Sequence, residues 1–310
     1  MTPTRRDFLA TSALAAVAGT LGRPSLAFGQ PGQQAQQARP VFTPLRGNVG
    51  LFSMRGGTIG WLVTAGAVVV VDAQYPAEAQ ACLAGLNERS GSRPVQCLIN
   101  THHHGDHTAG NVAFRGIAGK VVAHVKADEH MRQPPGGQPP ADALFPDTTF
   151  TESWATDAGD ERVVARWYGR AHTSGDATVT FERANVVHMG DLVFHRRHPV
   201  VDRAAGATLK GWTTVLERVI ADHAADTIYV FGHAGAALPV YGGRADLIRF
   251  RDYIGTVLAF VESNIKAGRT KEEILAMRDP MKGFEDYGPF GAAGARETLT
   301  CAVEEVTTGA

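Results

Sequence analysis

Apolar positions fall into two patterns along the chain: short β-branched runs, and segments in which apolar residues recur every three or four positions. Residues 49–63 are β-branched and interrupted by Gly56-Gly57, which predicts a hairpin. Ala67-Val68-Val69-Val70-Val71 is apolar throughout and ends in Asp72. Such an unbroken run fits a strand covered on both faces. Pro76 opens a predicted helix that runs to about residue 89, and Gly91 closes it. Residues 95–100 predict the next buried strand, so strand, helix and strand form a βαβ unit.

Beyond this unit the pattern predicts a short helix over 110–115, a strand over 120–125 and a short helix over 127–132. Residues 133–149 hold five prolines and two glycines and read as a long loop, either a lid or a solvated insertion. Residues 162–168 alternate as a strand does, and residues 177–181 and 185–189 form a second hairpin. Helical spacing of Leu209, Trp212, Leu216, Val219 and Ile220 marks a helix over 208–225, followed by a strand over 227–231. Three helices are expected at 244–266, 270–278 and 295–306, the second opened by a Thr270–Glu273 capping box. An aromatic, Gly/Pro-rich connector spans 280–290.

Candidate chemistry concentrates where the buried strand over 95–100 ends. Thr101-His102-His103-His104-Gly105-Asp106-His107 puts four imidazoles and a carboxylate within six residues. These are ligands for borderline divalent metals. If the segment leaves a strand, His102 and His104 point the same way and His103 points away. Asp106 and His107, on the bend, can then face a second ion. This pattern resembles the signature of the metallo-β-lactamase superfamily of hydrolases.

The resemblance implies an α/β fold in which two facing sheets lie between outer helices, an αββα four-layer sandwich with extra C-terminal helices. It also implies further ligands in chain order on strand-end loops. His172 before Gly175-Asp176, Asp191 after Gly190, and His233 between Gly232 and Ala234 match them. Carried over, one ion takes His102, His104 and His172, the other takes Asp106, His107 and His233, and Asp191 bridges them. Asp106 serves as ligand and proton acceptor, and Asp72 orients a ligand histidine. Two Zn2+ ions are the implied cofactors, with manganese or iron compatible with nitrogen and oxygen ligands. A shared water, its pKa lowered to about 7, would attack a carbonyl-type bond in an ester, thioester, lactone or lactam. Zinc β-lactamases often carry cysteine or serine where Asp191 stands and a cation three residues on, where this chain has Phe194. A β-lactamase proper is therefore one alternative, with His195-Arg196-Arg197-His198 as an anion grip or a charged exposed loop. A non-hydrolytic metal protein serving a periplasmic sulfur or quinoprotein redox system is another.

The resemblance implies a small-molecule substrate, and composition does not point to another partner. The 310 residues carry a formal net charge of -1, which gives no support to nucleic-acid binding. Thr4-Arg5-Arg6-Asp7-Phe8-Leu9, an apolar run over 9–21 and Ser25-Leu26-Ala27 have the form of a twin-arginine signal, with Ala10 where lysine is common. The expectation is a signal over 1–29, a flexible lead-in over 30–45 and a single domain over 46–310 located in the periplasm, with membrane contact only through an uncleaved anchor. Cys82, Cys97 and Cys301 allow one disulfide in that compartment, although buried free thiols suit their surroundings better.

Overall fold

Two sheets face each other, and the apolar patterning decides which side of each strand is shared. The structure, a computed structural model, describes residues 39–134, 137–277, 281–291 and 294–308. The expected signal and most of the lead-in lie outside the described residues. The first sheet runs in chain order: β1 (Val41–Pro44), β2 (Val49–Ser53), β3 (Ile59–Val63), β4 (Val68–Val71), β5 (Val95–Ile99), β6 (Val121–His124) and β7 (Thr148–Phe150). Pairing is antiparallel as far as β4 and parallel from β4 to β7. Parallel neighbours need a crossover, and α1 (Pro76–Ser90) supplies the first of them. Pro76 stands at its first turn, and Gly91 ends it at φ 63°, the left-handed conformation glycine adopts without strain. Val41–Pro44 were expected to belong to a flexible lead-in but pair with β2 as an edge strand.

The second sheet has the order β15 (Tyr241–Gly242), β13 (Ile228–Val230), β11 (Val186–His188), β10 (Ala177–Phe181), β9 (Glu161–Trp167), β8 (Ser153–Ala158). Two short strands, β12 (Phe194–His195) and β14 (His233–Ala234), pair in parallel beside it. The helices α2 (Gly105–Thr108) and α3 (Val125–Arg132) follow β5 and β6. The second half contributes α4 (Leu209–Asp222), α5 (Arg244–Lys266), α6 (Lys271–Ala276) and α7 (Ala295–Thr308).

Period-two geometry sorts the strand residues into layers. Val69 and Val71 of β4 point between the sheets, where they meet Val163, Val179 and Val186 of the second sheet. Val68 and Val70 point outward onto Ala79, Cys82, Leu83 and Leu86, which share one face of α1. On the far side, Val187, Met189, Tyr229 and Phe231 are covered by Trp212 and Leu216 of α4, Phe250 and Val257 of α5, and Ala302 of α7. The result is the four-layer αββα sandwich. Glu305 of α7 is fully buried and accepts hydrogen bonds from Thr208 Oγ1 at 2.7 Å and from the Leu209 and Lys210 amides at 2.7 and 2.9 Å. A carboxylate so placed satisfies the orphan amides that open α4 and ties the C-terminal helix to it. All three cysteines are buried free thiols, and burial pushes each thiol pKa up. No helix among the described residues is long and apolar enough to cross a membrane.

Candidate metal centre

The candidate ligands sit at the ends of strands: His102 and His104 follow β5, Asp106 and His107 open α2 just beyond, and His233 opens β14. β4 ends in Asp72, whose backbone takes φ 63°. This strained turn aims the carboxylate back across the end of β5. Asp72 Oδ1 accepts the Thr101 amide at 2.8 Å, and Oδ2 accepts Thr101 Oγ1 and His107 Nδ1, both at 2.8 Å. The histidine segment is pinned at both ends, because the Asn100 and Asn111 side chains exchange hydrogen bonds of 3.0 and 2.8 Å. His172 and Asp191 lie in the turns after β9 and β11, and His233 follows β13. Asp176 holds the His172 loop by accepting the Thr173 amide at 2.6 Å and Thr173 Oγ1 at 2.8 Å.

These separate segments converge. His102, His104, His172 and Asp191 form one group with ligand atoms within 4.8 Å of one another, and Asp106, His107 and His233 form a second. Asp191 lies between them, with Oδ1 3.0 Å from His107 Nε2 and Oδ2 3.3, 3.6 and 3.8 Å from Nε2 of His233, His172 and His102. Asp106 Oδ2 is 3.1 Å from His233 Nε2. His104 and Asp106 are half-buried and the other five are buried, so the cluster opens on the side of those two.

The outward nitrogen of several rings is already engaged, which fixes the orientation of each ring. His172 Nδ1 donates to the Val200 carbonyl at 2.9 Å, leaving Nε2 inward. His104 Nε2 faces Asp202 Oδ2 at 2.9 Å, so Nδ1 points into the cluster, 2.9 Å from His172 Nε2. His102 Nδ1 lies 3.1 Å from Thr101 Oγ1. His102 Nε2 is buried with no hydrogen-bond partner, and an unsatisfied buried donor or acceptor is costly. Gly232 completes the cradle: a Cβ there would lie 1.9 Å from Asp191 Oδ1.

Electrostatics divide the cluster. Burial pushes His172 down to about 3 and His102 well below its ordinary value. Burial also pulls His233 down, but the Asp191 and Asp106 carboxylates outweigh it and raise the ring to about 9. Burial works against the Asp191 carboxylate, yet the neighbouring His233 and His107 hold it well below the usual carboxylate range. Neutral inward-facing imidazoles together with the Asp191 and Asp106 carboxylates are a donor set that fits divalent cations.

Residues 54–302 match the family described as the metallo-beta-lactamase superfamily. The chain belongs to that superfamily. Superfamily members of known structure share its fold. A metallo-beta-lactamase from Pontibacter korlensis is 18% identical, with a TM-score of 0.56 over 70% of this chain and 99% of that one. For metallo-beta-lactamase IND-7 the identity is 21% and the TM-score 0.55, over 69% of this chain and 98% of that one. Among curated proteins, the 2,4-dinitroanisole O-demethylase subunit alpha of Nocardioides sp. (strain JS1661) is 27% identical over 49% of this chain and 45% of its own length. The hydroxyacylglutathione hydrolase of Cereibacter sphaeroides (strain ATCC 17025 / ATH 2.4.3) is 47% identical over 23% of this chain and 25% of its own length. The chain thus matches less than half the length of either curated relative.

Some contacts differ from the sequence expectation or were missed by it. His195-Arg196-Arg197-His198 is neither an anion grip nor a charged exposed loop. His195 binds the Pro239 carbonyl and Asp246, Arg196 pairs with Asp286, Arg197 donates to the Ala234 carbonyl, and His198 meets the Tyr253 hydroxyl. These bonds spend its cations on fastening the C-terminal half. The partners Asp202 and Val200 carry no sequence signal, because nothing in a bend between a strand and a helix marks contact with histidines 98 and 28 residues earlier. Pro139, Pro140 and residues 142–145 wall a cavity beside His103.

Proposed function

We propose that the protein is a dinuclear, zinc-dependent hydrolase of a carbonyl-type bond. The observation that carries this reading is the pair of donor groups with Asp191 between them, and the buried, unpartnered Nε2 of His102 facing inward. His102, His104 and His172 would hold one ion, Asp106, His107 and His233 the other, with Asp191 common to both. Bound there, the ions would supply Lewis acidity and a water acidic enough to attack at neutral pH.

The chain's own residues do the positioning and proton handling. Asp72 and Asp202 hold His107 and His104 by the nitrogens that face outward. Asp106 is the half-buried carboxylate at the open side, and would accept the proton of the attacking water. Phe194 is buried, stacks 5.5 Å from His233 at 22°, and brings no cation to a substrate carboxylate. With Asp191 where many zinc β-lactamases carry cysteine or serine, this favours an ester, thioester or lactone over a β-lactam. The hydroxyacylglutathione hydrolase name of one relative points the same way. We also infer periplasmic export from residues 4–9, and cell fractionation tests that.

The experiment is a panel of one thioester, one lactone and one chromogenic cephalosporin, assayed on zinc-loaded protein and on Asp106→Ala. Thioester or lactone turnover that disappears in the variant, together with reduced metal occupancy, supports the reading. Unchanged turnover in Asp106→Ala refutes the site.

A further inference from the structure

A cavity of about 290 Å3 lies beside the cluster on the side of His103. Its near edge is His103 and Gly105, both inside the histidine segment, and its far walls include Val112, Met131, Leu144 and Phe145. The outer wall is held open by side chains behind it. Asn111 Nδ2 donates to the Leu144 carbonyl at 3.2 Å, and Arg115 Nη2 donates to the Asp142 and Ala143 carbonyls at 2.8 and 3.2 Å. Arg132 Nη2 donates to the Pro146 carbonyl at 3.1 Å, and its guanidinium lies 4.7 Å over the Phe145 ring. Asn111 is itself bonded to Asn100 at the end of β5, so the wall is fastened to the strand that carries the ligand segment.

The polar groups at its edge are mostly committed elsewhere. Thr108 Oγ1 donates to the His103 and His104 carbonyls, and His130 Nε2 bonds Ser174 Oγ at 2.9 Å. His103 Nε2 lies 3.5 Å from Asp202 Oδ2, the carboxylate that also holds His104. His103 Nδ1 is buried without a hydrogen-bond partner and the exposed Asp142 also lines the cavity, but the walls are otherwise mainly apolar, so the cavity selects chiefly by apolar burial. An enclosed apolar cavity of ~150 Å3 takes a benzene molecule, so this one has room for a ring and a few attached atoms.

We propose that this cavity receives an uncharged, single-ring or compact branched apolar group of the substrate cleaved at the adjacent cluster. The proposal rests on the hydrolase reading for the word substrate, and on the cavity alone for the word ring. Two variants test it: Ala143→Phe, which fills the cavity, and Leu144→Asp, which charges its wall. Thermal melts verify that each is folded. Fluorine NMR of fluorobenzene reads occupancy directly, with and without metal. The wild type is expected to bind fluorobenzene in both states and each variant to lose it; no binding, or binding equal in all three proteins, overturns the proposal. S-acetyl and S-phenylacetyl thioesters of one thiol read specificity. A preference for the phenylacetyl ester of roughly tenfold or more in kcat/KM, lost in Ala143→Phe, supports it, and equal turnover of the two by the wild type contradicts it. Should neither thioester react, the thioester form of the hydrolase reading fails, and the fluorobenzene result still decides whether the cavity takes a ring.

Discussion

Replacing Gly232 by alanine tests the centre with one methyl group. Its Cβ would lie 1.9 Å from Asp191 Oδ1 and 2.9 Å from both the carbonyl carbon and oxygen of Gly190. Carbon and oxygen need roughly 3.4 Å, close to the spacing of ordinary non-bonded contacts, so the carboxylate must move by about 1.5 Å. The backbone of Gly190 cannot yield easily, because its carbonyl accepts the Gly232 amide at 2.7 Å. Asp191 therefore swings out of the space between the two donor groups. Overpacking of this kind costs about 1–3 kcal/mol, which lowers the melting temperature by roughly 2–12 °C for a chain of this size. A misplacement of this order costs about 100-fold in rate, a far larger effect than the loss of stability. The assay combines thermal melting, metal content after dialysis and turnover of the best panel substrate. The expected outcome is a folded protein with lowered metal occupancy and at most a few per cent of wild-type turnover. Wild-type metal content and turnover in a folded Gly232→Ala protein would refute the reasoning, since Asp191 would then have no need of its observed position.

Other consequences are equally specific. Asp202→Ala removes the acceptor for His104 Nε2 and should weaken metal binding by about 10–100-fold, measured by competition with a chromophoric chelator. Glu305→Ala leaves the α4 amides unsatisfied and should cost roughly 2–4 kcal/mol in denaturant melts, with metal content per folded chain unchanged. Burial raises Asp176 to about 7 against the pull of the Thr173 hydrogen bonds. A carboxyl raised above its unfolded value of about 3.9 contributes stability below pH 4 that is lost as pH rises to 7. The melting-temperature advantage of wild type over Asp176→Asn should shrink between pH 5 and 7.5, and a constant difference would show that Asp176 does not titrate there.

The patterning made the layers legible because buried parallel strands such as β4 and β5 are apolar on both faces, a signal that survives without neighbours. The residues of the centre were legible for a related reason: chemistry at strand ends places His102, His104, Asp106 and His107 in one short, recognisable segment. β8 escaped notice because half of Ser153–Ala158 is polar, with an exposed and half-buried alternation that only its pairing with β9 turns into a strand. β1 escaped because an edge strand of four residues is decided by the sheet beside it. Asp202, Val200 and Glu305 act across 98, 28 and 96 residues of chain. Local propensity does not extend over such separations. Gly232, which precedes His233, acts in the same long-range way, since its lack of a side chain lets it lie against Asp191.

The most direct measurement is hydrolysis of the substrate panel by one preparation assayed three times: zinc-loaded with metal counted, stripped by a chelator, and reloaded. The account predicts two ions per chain, turnover of a thioester or lactone, loss of that turnover on stripping and its return with zinc. A preparation that holds two ions per chain and cleaves no member of the panel would contradict it.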